Sequence, residues 1–95
     1  MPKHIIIWSD ESLLAFDEIV DFIFEKWGII PVLDFQNEIN RLIFLLGKNK
    51  KLCPKSKTVN IRKCVISEQT SLIYKIEGNL LEIITFIDNR SKHHF

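Results

Sequence analysis

Seven cationic side chains lie close together in the middle of the chain and are the residues best suited to binding a polyanion. Between residues 48 and 63 no carboxylate interrupts them; they are Lys48, Lys50, Lys51, Lys55, Lys57, Arg62 and Lys63. Residues 1–38 carry two lysines against eight acids, a net −6, whereas residues 39–95 carry eleven Lys/Arg against four acids, a net +7. This segregation predicts one surface for a polyanion and a separate surface for a protein partner.

The two cysteines and three histidines of the chain form no recognisable metal-binding pattern. The spacing of Cys53 and Cys64 matches neither a zinc ribbon, nor a Cys-x-x-Cys pair, nor a disulfide framework. His4, His93 and His94 do not complete a ligand set with them. We therefore expect two small, partly buried free thiols, and neither a metal nor another cofactor.

The length and composition indicate one globular domain. Ninety-five residues with 46% hydrophobic content are enough for a single modest core. The longest apolar stretches fall well short of the ~20 residues that cross a bilayer. The N-terminus lacks the long apolar core and small-residue cleavage site of a signal peptide. The sequence thus predicts no membrane association and residence in the cytosol.

The first half of the chain predicts a strand followed by two helices. His4–Trp8 is a β-branched run, and Ser9 has the position of a helix N-cap. Apolar residues then recur at spacings of three and four, while acids line another face; the apolar set is Leu13, Phe16, Val20, Ile23 and Trp27, and the acidic set is Asp17, Asp21 and Glu25. Gly28 suits a C-cap, and Pro31 suits the first turn of a second helix that runs to about Leu46 and is ended by Gly47. Its apolar face comprises Val32, Phe35, Ile39, Leu42 and Leu46.

The second half predicts a loop and three strands. Residues 48–57 are polar and basic with Pro54 among them, which indicates a loop. Segments rich in Ile, Val, Leu, Tyr or Phe follow; they are Thr58–Ser67, Leu72–Glu77 and Leu80–Asp88. Gly78-Asn79 has the composition of a two-residue hairpin turn. The order β-α-α-β-β-β predicts an α+β domain with a helical hairpin on a small, mostly antiparallel sheet.

This order, with particular residues in it, resembles the RelE/ParE superfamily of toxins from bacterial type II toxin–antitoxin modules. The resemblance covers nearly the whole chain. It is carried by Ile7-Trp8-Ser9 with Ala15, Asp17 and Ile19, by Leu52-Cys53-Pro54, by Arg62, by Ile73-Tyr74-Lys75-Ile76, and by Ile83 to Arg90. It implies a growth-inhibiting toxin that is neutralised by a cognate antitoxin from the adjacent gene.

The superfamily contains two activities, and the fold alone does not separate them. Many members are ribonucleases that enter the ribosomal A site and cut mRNA, whereas the ParE-like branch inhibits DNA gyrase. The implied partners are therefore the ribosome and mRNA, or alternatively gyrase. A toxin-like protein that has lost toxicity and only binds its antitoxin is a third possibility.

For metal-independent RNA cleavage, the candidate catalytic residues are Arg62, Arg90, His93 and His94. A guanidinium stays charged and presents paired donors to a phosphate, and histidine transfers protons near neutral pH. The candidate nucleic-acid-binding residues are Lys48, Lys50, Lys51, Lys55, Lys57, Arg62, Lys63 and Tyr74. No complete ribonuclease set can be placed, because no general base is secure.

Each of these residues also has a purely structural interpretation. The lysines suit a solvated loop, and Arg62 could pair with Glu82 or Asp88 across the sheet. Tyr74 suits a half-buried sheet position better than base stacking, and the histidines suit a flexible chain end. Trp8 and Trp27 are expected to pack between helix and sheet.

Overall fold

Helices and strands occur in the order that the sequence predicts. The computed structural model describes residues 5–57 and 60–89. Its elements are β1 (Ile5–Trp8), α1 (Asp10–Trp27), α2 (Ile29–Lys48), β2 (Ile61–Val65), β3 (Thr70–Glu77) and β4 (Leu80–Asp88). The predicted bounds of β4 are confirmed, and β1 agrees with its prediction apart from His4, which lies outside the described residues. β2 is shorter than the predicted Thr58–Ser67, of which Thr58 and Val59 lie outside the described residues, and β3 begins two residues before the predicted Leu72.

Ser9 starts α1 and also ties it to the sheet. Its side chain accepts a hydrogen bond from the backbone N–H of Ser12 at 3.0 Å, as the N-cap prediction requires. Its backbone N–H donates to the carbonyl of Ile83 at 3.0 Å, and its hydroxyl donates to the carbonyl of Ile84 at 2.6 Å. The first helical turn is therefore fixed directly on β4.

A single residue, Gly28, joins the two helices. Its φ of +84° and ψ of −165° belong to a region that is essentially restricted to glycine, and its N–H donates to the Phe24 carbonyl at 2.9 Å. The predicted C-cap is confirmed, and α2 begins at once at Ile29, which places Pro31 in its first turn as predicted. Gly47 does not end α2, because the helix continues through it to Lys48. The connection is thus as short as a helical hairpin allows.

Alanine at the two helix glycines is expected to have opposite effects on stability. Gly28→Ala should lower the free energy of unfolding by about 1–3 kcal/mol, since the φ is strained for any L side chain although no atom lies within 4 Å of the new Cβ. Gly47→Ala should raise it by about 0.5–1 kcal/mol, since a helical alanine loses less entropy than glycine on folding. The new Cβ would meet only the Ile6 Cδ1 atom at 3.8 Å, an ordinary contact. Urea unfolding of both variants measures this, and two changes of the same sign would contradict it.

The four strands form one mixed sheet with the order β1-β4-β3-β2. β1 runs parallel to β4, and the other two pairings are antiparallel, which confirms the predicted meander. Gly78 has a φ of +60° in the turn between β3 and β4, as the Gly78-Asn79 prediction requires. β1 and β2 are consequently the two edges of the sheet.

A bulge in β4 decides which of its side chains reach the core. The register passes from Tyr74 opposite Ile83 to Ile73 opposite Thr85, so that Ile84 is the extra residue. The Ile84 carbonyl is the one that accepts the Ser9 hydroxyl. Beyond the bulge the alternation shifts by one position, and Phe86 joins Ile83 in the core cluster.

The core lies between the helices and one face of the sheet, and the predicted apolar face of α1 is turned inward only in part. On α2 the predicted residues Val32, Ile39 and Leu46 are buried. On α1, Ser12 is fully buried, and Ala15, Phe16 and Ile19 pack on the core. The predicted inward positions of Leu13 and Trp27 are wrong, because these side chains are 49% and 54% exposed. A contiguous apolar surface therefore remains uncovered on this helix.

Aromatic rings fill the contact between α1, α2 and β4. The Trp8 ring lies 5.6 Å from Phe16 and 5.6 Å from Phe86, measured between centroids. Phe16 also stacks on Phe35 at 5.6 Å. The predicted packing role of Trp8 is thus confirmed. Within the described ranges, neither helix has the length and apolar content needed to cross a membrane.

Candidate nucleic-acid interface

The basic segment, defined as residues 48–57, leaves the end of α2 and runs beside β2, the edge strand. Its backbone makes ladder-like contacts with that strand: the Ser56 N–H donates to the Ile61 carbonyl at 2.8 Å, and the Lys63 N–H donates to the Pro54 carbonyl at 3.2 Å. The backbones of Lys55 and Arg62 form an isolated antiparallel β-bridge. The predicted loop is therefore held along the sheet edge.

A disulfide joins Cys53 in the basic segment to Cys64 in β2, with their Cα atoms 5.2 Å apart. The prediction of two free thiols is wrong. The two residues are only 8% and 3% exposed, so the expected burial holds. The chain turns back between them and brings residues 11 positions apart onto neighbouring strand-like segments. Spacing in the sequence does not reveal this reversal.

Tyr74 of β3 holds the basic segment in place through two hydrogen bonds of its hydroxyl. Its ring is fully buried, so it offers no face to a base, and it acts here as a positioning residue. Its hydroxyl donates to the Lys50 carbonyl at 2.8 Å and accepts from the Cys53 N–H at 3.4 Å. Burial raises the pKa of this hydroxyl, partly offset by the bond from Cys53 and the charge of Arg62. Tyr74 is consequently a neutral donor rather than a base at physiological pH.

Tyr74→Phe is expected to lower the free energy of unfolding by about 1–2 kcal/mol near pH 7, because it leaves the partly buried Lys50 carbonyl and the buried Cys53 N–H without this partner. A tyrosine with a raised pKa stabilises the fold at low pH, and this contribution is lost as the pH rises above the ordinary value of 10.0. The difference between wild type and variant should therefore shrink at alkaline pH. Urea unfolding on both sides of pH 10 measures it, and a constant difference would contradict the assignment.

Arg62 lies at the base of the basic segment, half-buried on β2. One guanidinium nitrogen, Nη1, donates to the Cys53 carbonyl at 2.6 Å. Glu82, one predicted partner, instead accepts from Lys75, with the two atoms 3.4 Å apart. A guanidinium has five N–H donors, so those not used for Cys53 can serve a phosphate. The bond to Cys53 fixes the orientation of the group.

The lysines of the interface fall into two groups. Lys48 lies over the Phe44 ring at 4.5 Å, and the Lys50 ammonium donates to the Gly78 carbonyl at 2.9 Å. Both are already engaged with the protein. Three others, Lys51, Lys55 and Lys57, are exposed, and Lys63 is half-buried. The exposed group is the part that can follow a nucleic-acid backbone.

The predicted site residues Arg90, His93 and His94 lie outside the described residues. The preceding residue, Asn89, donates through its backbone N–H to the Gln69 carbonyl at 2.8 Å. Arg62 is opposite Tyr74, whereas β4 ends with Asp88 opposite Thr70. Tyr74 and Thr70 are four residue steps apart on β3, so Arg62 and Asp88 are offset by about 13 Å along the strand direction.

A second surface is the α1 groove, of about 420 Å³, between α1, the start of α2 and the end of β4. It is lined by Ala15, Glu18, Ile19, Phe22, Ile23, Trp27, Pro31, Phe35, Ser67, Gln69, Thr70, Phe86, Ile87 and Asp88. Trp27, which sequence reasoning placed in the packing between helix and sheet, is here an exposed groove wall. Among the residues that the structure describes, no three His, Cys, Asp or Glu side chains are placed to hold a metal ion.

Comparison with known proteins places the fold. No protein-family profile matches the chain, and no curated protein matches its sequence. Among solved structures, the chromosomal ParDE toxin–antitoxin system from P. aeruginosa aligns at 14% identity, with a TM-score of 0.75, over 90% of this chain and 95% of that one. The E. coli DinJ–YafQ toxin–antitoxin complex aligns at 17% identity, with a TM-score of 0.62, over 92% and 93%.

The YoeB dimer from Staphylococcus aureus aligns at 17% identity, with a TM-score of 0.60, over 97% of this chain and 98% of that one. These alignments span nearly the whole of each chain, and they agree with the two helices on a four-stranded mixed sheet. The chain has the fold of the RelE/ParE superfamily of toxins.

Proposed function

We propose that this protein is the toxin of a bacterial type II toxin–antitoxin module, which stops growth by cutting mRNA on the ribosome and is neutralised by an antitoxin from the adjacent gene. The observation that carries the proposal is the basic segment, held in place with Arg62 oriented at its base. An ordered row of cations along a sheet edge suits the backbone of a nucleic acid. The setting for this activity is the bacterial cytosol.

The proposed reaction is metal-independent transesterification at one phosphodiester. The 2′-oxygen attacks the phosphorus, and the bond from phosphorus to the 5′-oxygen breaks. Arg62 stabilises the negative charge that builds up on the phosphate oxygens. Tyr74 is buried and neutral, so proton transfer is assigned to His93 or His94, with Arg90 as a second phosphate contact. The exposed lysines hold the RNA backbone.

Inducible expression in bacteria without the antitoxin tests the proposal. After a few minutes, mRNA ends are mapped and gyrase-linked DNA breaks are assayed in the same culture. Fresh cuts within translated mRNA, without DNA breaks, are the expected result. Harmless expression with neither effect would identify the protein as a non-toxic antitoxin-binding relic and overturn the nuclease proposal.

The second candidate function is ParE-like inhibition of DNA gyrase, without chemistry of its own. The observation that favours it is the long helical hairpin, with 18 and 20 residues joined by one glycine. Likeness to the ParDE system also supports it, although both branches share the fold. DNA breaks and an SOS response with intact mRNA would establish this alternative.

The α1 groove is proposed as a contact surface for the antitoxin. Phe22 and Trp27 line it and are 42% and 54% exposed, which leaves apolar area for a partner to cover. A helical or extended segment with an apolar side can fill such a groove. The basic segment would attract acidic residues of the same antitoxin.

Phe22→Ala is expected to weaken antitoxin binding by about 2 kcal/mol, or roughly 30-fold, because a large aromatic side chain of the groove wall is removed. Phe24→Ala is the matched control, since this residue is similarly exposed on α1 but does not line the groove. Affinity of the purified pair measures both. Equal loss in the two variants, or none in either, would remove the groove from the interface.

A further inference from the structure

Three separate bonds converge on Cys53 in the middle of the basic segment. Its backbone N–H donates to the Tyr74 hydroxyl at 3.4 Å, and its carbonyl accepts from Arg62 at 2.6 Å. Its sulfur is bonded to Cys64. Only the last of these is covalent and can be broken and remade by a chemical reaction. The disulfide is therefore a covalent contact among the several that hold the basic segment and its exposed lysines in place.

We propose that Cys53 and Cys64 form a site of reversible thiol–disulfide modification, whose reactant is a dithiol reductant. The oxidised form is the one that presents the basic segment as an ordered cationic surface. The expected effect on RNA binding rests on the proposed function, since RNA is the polyanion that the surface would bind. The modification site itself rests only on the bond and its surroundings.

The disulfide joins the basic segment to the edge strand β2. Both cysteines are buried members of the core cluster, so exchange requires the basic segment to open first. Loops at an edge open at lower free energy than the core does. The neighbours of Cys53 on both sides, Leu52 and Pro54, are exposed. A small opening of the segment thus brings Cys53 to solvent without unfolding the sheet.

The exchange proceeds in two balanced steps. A thiolate of the dithiol attacks the sulfur of Cys53, the more exposed of the pair, and Cys64 leaves as a thiolate that takes up a proton. The second thiol of the reductant then attacks the mixed disulfide and releases Cys53. Two electrons and two protons pass to the protein, and the dithiol becomes a disulfide. Attack by Cys64 and Cys53 on an oxidised dithiol reverses the process.

Reduction leaves the segment attached only by hydrogen bonds. These include the bonds of Tyr74 and Arg62, and the backbone bonds of Ser56 and Lys63. The exposed lysines would then sample many positions, and RNA binding would have to restore their order. Reduction should consequently lower RNA affinity about tenfold, the effect of losing a preorganised surface.

The experiment compares the oxidised protein, the dithiothreitol-treated protein and the double variant Cys53→Ser/Cys64→Ser. Alkylation and mass measurement under native conditions count the free thiols. Limited trypsin digestion then reports on the segment, because Lys50, Lys51, Lys55 and Lys57 are cleavage sites within it. Lys26, exposed in α1, serves as the internal reference. Binding of a fluorescent oligouridine measures RNA affinity.

The expected result is reduction without denaturant, with cleavage in the segment at least about tenfold faster and cleavage at Lys26 unchanged. The double variant should be cleaved in the segment as fast as the reduced protein, and dithiothreitol should not change this rate. A disulfide that resists reduction until the protein unfolds, or equal segment cleavage in both states, would overturn the redox site. Redox-dependent cleavage with no RNA binding in either state would support the site and overturn the RNA-binding function separately.

Discussion

Arg62→Ala is expected to lower mRNA cleavage by about 10²–10³-fold, or roughly 3–4 kcal/mol in the transition state, while the protein stays folded. The guanidinium is held by its bond to the Cys53 carbonyl, so its remaining donors have fixed directions. Fixed donors aimed at a developing charge contribute more than mobile ones, because no reorganisation is needed during the reaction. Primer extension on ribosome-bound mRNA measures the effect.

Two variants separate this role from a structural one. Arg62→Lys keeps the charge but not the forked donor geometry, so it should recover only part of the activity. Arg41→Ala removes an exposed arginine of α2 that lies outside the basic segment, and it should leave cleavage unchanged. Thermal unfolding of all three proteins checks the fold. Full cleavage by a folded Arg62→Ala protein would remove this residue from the site.

Phe86→Ala is expected to lower the free energy of unfolding by about 3–5 kcal/mol, the usual cost of deleting a large buried aromatic ring. Phe86 is 6% exposed and lies 5.6 Å from the Trp8 ring and 5.8 Å from the Phe16 ring. These contacts join β1, α1 and β4, so the cavity would lie where three elements meet. Urea denaturation of purified protein measures the change.

Phe24→Ala is the control for this substitution. The same chemical change at a 55% exposed position should alter stability by no more than about 0.5 kcal/mol. Thr85→Ala adds a test of the bulge, since Thr85 would face the core if β4 alternated without interruption. A larger loss from Thr85→Ala than from Phe86→Ala would contradict the shifted register.

Local signals in the sequence were sufficient to predict the elements. Ser9 and Gly28 bracket α1 because a hydroxyl caps the helix start and a positive φ ends it. Gly78-Asn79 likewise specifies the hairpin turn between β3 and β4. Such signals act through a few neighbouring residues, and a sequence displays them directly.

Features that depend on distant contacts were not predictable in the same way. More than one face of α1 carries apolar residues, so periodicity alone placed Phe16 correctly on the core but also turned Leu13 and Trp27 inward, which are exposed. The bulge at Ile84 lies where the two ends of the chain meet, since the Ile84 carbonyl accepts from the Ser9 hydroxyl. Gly47 lies inside α2, which continues to Lys48 beside the Ile6 side chain.

The sequence predicted which basic residues form the candidate site, but not the contacts that hold them in place. The run of lysines was visible because charge is a property of composition. The fastening of that run by Tyr74, Arg62 and the disulfide was not, because residues 50 and 74 approach one another only in the folded sheet. The spacing of the cysteines does not show that the chain reverses direction between Cys53 and Cys64, so their pairing was not predicted.

The most direct measurement adds the purified protein to ribosomes programmed with a defined mRNA and maps the mRNA ends by primer extension. A parallel reaction contains gyrase and supercoiled DNA. A ribonuclease of the proposed kind should give new ends within the codon in the A site, only when ribosomes are present, and should leave gyrase active. Intact mRNA together with inhibited gyrase would contradict the proposal and assign the basic surface to the gyrase-directed branch.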